Sequence, residues 1–263
     1  MAKDAAMIKC LLSRKSLQIV IPLRRFRLRT VFSLFAFCST LPLAAAPTTA
    51  SLWGRVSYLG QRPQLELIEM RGDSYCSARQ REARHSRQDL LVNEQGGVAN
   101  ALVYVKDGPI VRRADPQRKM VELAMRDCLF FPRVLGVQCG QKIALRNDDR
   151  TLHTVYARAK ANPKFIHPLR GPDDPPFEFL FSAPELPVYL RCDVQPWMIA
   201  YVGVFDHPYF SVTAIDGTFE LVNLPPGNYT IGVWHEKLGT LTEHIELKAG
   251  ERRALDLHFA GTR

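Results

Sequence analysis

The chain has 263 residues, 46% of them apolar and 23% charged, which is enough for one large domain or two small ones and excludes a disordered chain. The formal charge of +9 suggests a polyanion partner, but residues 1–46 hold eight of the basic residues and one acid (Lys3, Lys9, Arg14, Lys15, Arg24, Arg25, Arg27, Arg29; Asp4). Without them 27 basic residues face 25 acidic ones, so the footprint of a nucleic-acid binder is missing.

Residues 1–46 read as an export signal. Arg24 to Arg29 form a basic region, Thr30 to Leu43 an apolar run, and Ala44-Ala45-Ala46 a small-residue cleavage site. The apolar run is shorter than the about 20 residues that span a bilayer, so no membrane segment is expected in the mature form. A periplasmic or secreted location follows, where disulfides persist. Cys76, Cys128, Cys139 and Cys192 remain, without the paired spacing of a zinc finger.

From Ser51 onward short alternating segments are separated by Gly, Pro, Asn and Asp, which predicts an all-β chain. Residues 54–63 read as strand, turn, strand. Residues 71–97 are polar and irregular, a loop with room for a short helix; the Arg71-Gly72-Asp73 triplet there is read as chance. A strand runs through 98–107 to an Asp107-Gly108 turn. Two strands joined at Gly140 occupy 130–149. In 187–193, Val188, Leu190 and Cys192 share one parity, which points Cys192 inward. The last 55 residues give strands around Asp216-Gly217, the Pro225-Pro226-Gly227 turn and Ala249-Gly250. Tyr229, Ile231, Val233 and His235 share one face there. Many short strands at this spacing indicate sandwiches or barrels.

Two stretches carry metal chemistry. "RNDDRTLHT" (146–154) places His153 after a polar loop, and "CDVQPWM" (192–198) places Cys192 at a strand end, followed by Gln195 and Met198. Imidazole, thiolate and thioether are the donors of blue-copper sites, which take a second imidazole in the trigonal plane. Taken alone, Cys192 and Met198 read equally as core residues, and His153 as bonded to a loop carbonyl. A Cys192 nucleophile is disfavoured, because no base lies at close spacing and no phosphate loop, paired-carboxylate motif or Ser elbow occurs. The chain is therefore expected not to be an enzyme.

These motifs, with residues 206–239, resemble the plastocyanin-like (cupredoxin) exported bacterial proteins labelled methylamine utilization proteins. The resemblance runs over about residues 51–259. It implies copper held by His153, Cys192 and axial Met198, with Gln195 where the family has His, and a redox protein docking over 193–198. It also puts Arg133 where the family has His, a cation that would repel copper if it pointed into the site. The resemblance further implies a Cys76–Cys128 bridge. Cys139 is expected to stay free or to bridge another chain, since the 141–147 strand separates it from Cys192. His235, Glu236 and His207 are the residue types of a second metal site; His235 shares parity with core residues, which favours a structural role. His167, His244 and His258 are expected to be exposed or in loops.

Residues 54–63, 97–105 and 216–231 also resemble halves of carboxypeptidase regulatory-like (prealbumin-type) sandwiches. The expected architecture is a cupredoxin-like Greek-key sandwich (98–205) packed on or inserted in a prealbumin-like sandwich (51–97 plus 206–263), with strand 101–107 assignable to either. The alternative function is a metal-free carbohydrate-binding or protein-interaction module, with Trp53, Tyr209 or Phe210 as its binding face.

Overall fold

A computed structural model describes residues 48–112 and 119–261; the leader assigned to 1–46 lies outside them. Among the described residues the regular structure is mostly β. Strand β1 (Ala50–Tyr58) shows why: Ala50, Leu52 and Val56 face inward while Trp53 and Arg55 face outward, the period-two pattern of a half-buried strand. The second strand expected within 54–63 does not form. Residues 59–66 carry Pro63, which has no N–H to donate, and lack alternating apolar positions, so they form no strand, although their ends bond backbone through Leu59 N to Phe259 O (2.9 Å) and Arg87 N to Glu66 O (2.8 Å). A single helix, α1 (Ser74–Ala83), follows among the described residues. Asp73 caps it by accepting from the Cys76 N–H at 2.8 Å, and Arg84 ends it in the left-handed region.

The next strands are β2 (Leu102–Asp107), β3 (Val121–Arg126), β4 (Leu129–Phe131), β5 (Val134–Gln138) and β6 (Ile143–Asn147). Then come β7 (His153–Arg158), β8 (Phe165–Leu169), β9 (Phe177–Phe179), β10 (Glu185–Cys192) and β11 (Ile199–Phe205). The last are β12 (Phe210–Val212), β13 (Thr218–Leu224), β14 (Gly227–His235), β15 (Gly239–Leu247), β16 (Arg252–Ala254) and β17 (Leu257–Phe259). Four sheets result. Two of them, ordered β4-β3-β6-β9 and β5-β11-β10-β7-β8, enclose Leu123, Ile143, Leu145, Val155, Leu190 and Val202. The other two are β13-β1-β16, with β17 also on β1, and β12-β2-β14-β15; they enclose Leu52, Val56, Val103, Leu221, Ile231 and Val233.

Membership of the two cores is not collinear with the sequence. Ile68, Met70 and Cys76 belong to the first, while Val92, Val98, Val103 and Val105 belong to the second. Strand β2 pairs with β12 and β14. The sandwiches meet across Leu102, Val134 and Phe205. Here Gly136 has a specific duty: a Cβ on it would lie 2.6 Å from the Phe210 ring, so only glycine lets the sheets close. Beside this contact, Arg133 forks onto Glu236 (2.5 and 2.8 Å), a pair almost fully withdrawn from water.

His235 lies in the second core, and its Nδ1 accepts from the N–H groups of Lys237 and Leu238. His207 likewise accepts from Tyr209 N, so neither histidine is an open ligand. His167, expected to be exposed or in a loop, sits in β8 half-buried and stacks on Phe177 at 3.8 Å. His244 and His258 are exposed. No helix among the described residues is long and apolar enough to cross a membrane.

Candidate metal centre

The site is assembled by strand register. Cys192, the last residue of β10, pairs with Val155 of β7. His153 opens β7 two residues earlier and shares the parity of Val155, so thiol and imidazole project side by side into the first core. The loop before His153 is fixed by Asn147, whose amide donates to the carbonyls of Thr151 (2.8 Å) and Leu169 (2.9 Å) and accepts from Asp149 N (2.9 Å). The 193–198 loop closes on itself through Cys192 N to Met198 O (3.1 Å) and Met198 N to Gln195 O (3.0 Å). Trp197 anchors it by donating to Cys128 O at 3.2 Å.

His153 Nδ1 lies 3.9 Å from Cys192 Sγ. Gln195 Oε1 accepts from both, at 2.9 Å from Nδ1 and 2.8 Å from Sγ. The Gln195 amide nitrogen donates to Asp73 Oδ2 (3.1 Å) and Leu152 O (3.3 Å). Those two partners are acceptors only, which fixes the orientation of the amide. Its oxygen therefore faces two donors: the thiol carries its proton, and Nδ1 carries one too. The other ring nitrogen, Nε2, meets Asp149 Oδ2 at 3.0 Å. The ring is thus an imidazolium beside a carboxylate.

The electrostatics agree. Burial lowers the His153 pKa, but the Asp149 carboxylate outweighs it, helped by Cys192 and Gln195, and the net value is pushed up to about 9. Burial raises Asp149, yet His153 and the N–H groups of Cys128 and Asp127 (each 2.8 Å away) hold it below the ordinary carboxylate value. Burial likewise raises the Cys192 thiol, and His153 with the Gln195 N–H reverses this into a net lowering.

His153, Gln195 and Met198 are fully buried and Cys192 is 1% exposed. The lid is α1 and its N-cap. Asp73 accepts from Thr151 Oγ1 (2.9 Å) as well as from Gln195, and Tyr75 donates to Asp149 (3.3 Å). Cys76 on the helix is bonded to Cys128. Sequence reasoning missed Asp73, Tyr75 and Asp149. Asp73 had one visible signal, an acidic N-cap before a polar segment, and Asp149 had another, a carboxylate four residues before His153.

Of the residues singled out from the sequence, His153, Cys192 and Gln195 meet directly, and Met198 packs in the same core beneath their loop. Arg133 does not enter the site; it turns to Glu236 and to Ile199 O, and the feared repulsion of a metal does not arise. Cys139 is half-buried and, like Cys192, a free thiol. The proposed glycan face is not formed. Tyr209 is buried, Phe210 stacks on Phe205 at 4.9 Å, and Trp53 alone of the three is exposed, with Arg252 over its ring.

The donor set fits a soft cation. Metal–sulfur and metal–nitrogen bonds of about 2.3 and 2.0 Å sum to more than the 3.9 Å between Sγ and Nδ1, so one ion can touch both. Gln195 Oε1 is close enough to add a weak oxygen donor, and copper sites accept a glutamine as a weak ligand.

Parts of the chain are similar to cupredoxins. Amicyanin from Paracoccus versutus matches 39% of this chain over 96% of its own, at 15% identity and a TM-score of 0.30. A purple cupredoxin from Nitrosopumilus maritimus matches 32% over 98% of its own, at 20% identity and TM-score 0.28. A copper-containing nitrite reductase from Thermus scotoductus SA-01 matches 33% at 18% identity and TM-score 0.30, and the match spans 22% of the reductase. No family model matches the sequence, and no curated protein does.

Proposed function

We propose that this chain is an exported, non-enzymatic, plastocyanin-like protein that binds copper through His153, Cys192 and Met198, with the Gln195 carbonyl in place of a second imidazole. The observation that carries the reading is the mutual approach of His153 Nδ1 and Cys192 Sγ around one oxygen, Gln195 Oε1. Thiolate and thioether donors with a single imidazole favour Cu(I) over Cu(II). Copper held there would supply one-electron exchange. The protein's part is to exclude water with the α1 lid and to fix the imidazole through Asp149. A redox partner would dock over 193–198, where Val194 is half exposed.

The test is anaerobic titration of the mature chain with Cu(I) against a chromophoric chelator, followed by Cu(II) and a visible spectrum. One Cu(I) per chain is expected, abolished by Cys192→Ser. Gln195→His should add an intense thiolate-to-copper band with Cu(II). If neither the natural chain nor Gln195→His takes up copper, the reading fails. A metal-free sandwich module would then remain, a role that the complete internal hydrogen bonding of the cluster already supports.

A further inference from the structure

The buried cluster holds a second donor set on the far side of His153. Cys128 Sγ, a carboxylate oxygen of Asp149 and a ring nitrogen of His153 lie within 4.8 Å of one another, all buried. As the chain stands Cys128 offers no thiolate, because its sulfur is bonded to Cys76 Sγ at 2.04 Å. That bond is also what adds a fourth donor. Once it is cleaved, Cys128 offers a thiolate to this cluster, and Cys76, freed beside it, is a second sulfur within reach of a short side-chain swing. We propose that reduction of the Cys76–Cys128 disulfide turns this cluster into a four-coordinate zinc site made of Cys76, Cys128, Asp149 and His153.

The chemistry balances with a dithiol or phosphine reductant. Two electrons and two protons convert the disulfide to two thiols while the reductant is oxidised; zinc then displaces both thiol protons and the proton that the His153 ring holds toward Asp149, and solvent takes up all three. Two thiolates, an imidazole and a carboxylate are a tetrahedral zinc set, harder than the sulfur-and-imidazole set on the Cys192 side. Donors on one tetrahedral zinc stand about 3.3–3.8 Å apart, so the Cys128, Asp149 and His153 donors need to contract by about 1 Å, while Cys76 Sγ must part from Cys128 and turn toward them.

The four donors come from elements already held together. Cys76 is on α1, whose Arg79 donates to Asp127 at 2.7 Å. Cys128 is in the β3–β4 turn, with both Asp127 and Cys128 in the left-handed region. Asp149 sits in the loop after β6, held by the N–H groups of that same turn. These contacts do not involve the disulfide, so its cleavage leaves the donors near one another. Each Asp149 oxygen accepts one backbone N–H and one side-chain donor, Tyr75 on Oδ1 and His153 on Oδ2, so a cation would take the place of the His153 proton. The backbone bonds already act as the outer support that metal ligands need.

This site shares His153 with the copper reading, but Cys192, Gln195 and Met198 take no part in it. The experiment titrates zinc into the whole mature chain against a chromophoric chelator, oxidised and after reduction by a phosphine. One zinc per reduced chain is expected, bound at least a hundredfold more tightly than by the oxidised chain. Cys128→Ser and Asp149→Asn should each weaken it tenfold or more, while Cys192→Ser leaves it unchanged. Near-ultraviolet circular dichroism follows folding: zinc should hold or restore the native signal of the reduced chain. The proposal is overturned if reduction does not tighten zinc binding, if Cys128→Ser binds as well as the natural chain, if Cys192→Ser loses the zinc, or if the reduced chain unfolds and zinc fails to restore it.

Discussion

Copper binding to this cluster should release two protons. The Gln195 amide is oriented by Asp73 and Leu152, so its oxygen receives one proton from Cys192 Sγ and one from His153 Nδ1. A metal on those two atoms must displace both. With His153 at about 9, the imidazolium persists below about pH 8, so His153 holds its proton at neutral pH and below. Two protons per ion make the apparent affinity rise about a hundredfold per pH unit, or about 2.7 kcal/mol. Isothermal titration in buffers of different ionisation heat measures the count directly. Asp149→Asn removes the carboxylate that keeps His153 charged, so its count should fall toward one at pH 7.5. A count of one or less in the natural chain would refute the proton assignment, showing Cys192 already ionised or Nδ1 bare.

Three further outcomes are expected. Gln195→Ala leaves the Cys192 thiol and His153 Nδ1–H only their long 3.9 Å contact with each other and removes the side-chain donor to Leu152 O; at about 1–3 kcal/mol per buried orphan, relaxation should leave a loss of about 2–4 kcal/mol in the urea unfolding of the metal-free chain. Glu236→Gln strands the buried Arg133 guanidinium and should cost about 3–5 kcal/mol in the same assay, whereas a loss under about 1 kcal/mol would mean that Arg133 reaches water. His235 is lowered from 6.5 to about 4, first by burial and then by Arg133. Its contribution is therefore present above pH 6.5 and lost as pH falls toward 4, by about 2 kcal/mol at pH 5. His235→Asn, whose oxygen can still accept from Lys237 and Leu238, should show a pH 7-to-5 loss of stability smaller by that amount, followed by urea midpoints.

Where a local repeat was the cause, the sequence was readable. The alternation Val188, Leu190, Cys192 placed the thiol inward, and it is 1% exposed. Tyr229, Ile231, Val233 and His235 share a buried face as their parity requires. Gly140 and Gly217 mark turns with positive φ. The reading of 54–63 as two strands failed because a turn signal says where a chain bends, not whether the next segment finds a partner. The role of Asp73 was hidden for a different reason. Asp73 matters through bonds to Thr151 and Gln195, 78 and 122 residues away, and no spacing or periodicity records such contacts.

What the residues determined by themselves was the β class, the inward-facing thiol, and the pairing of an imidazole motif with a thiol motif. Each of these follows from side-chain period or from donor chemistry, and both are properties of a short stretch. The packed chain alone decided the rest: a lid of α1 over the pole, an amide oxygen shared by thiol and imidazole, a carboxylate behind the ring, and Arg133 turned away to Glu236. Those outcomes depend on which distant groups desolvate one another, and that is set only when β7, β10 and the 59–90 segment close on the same core.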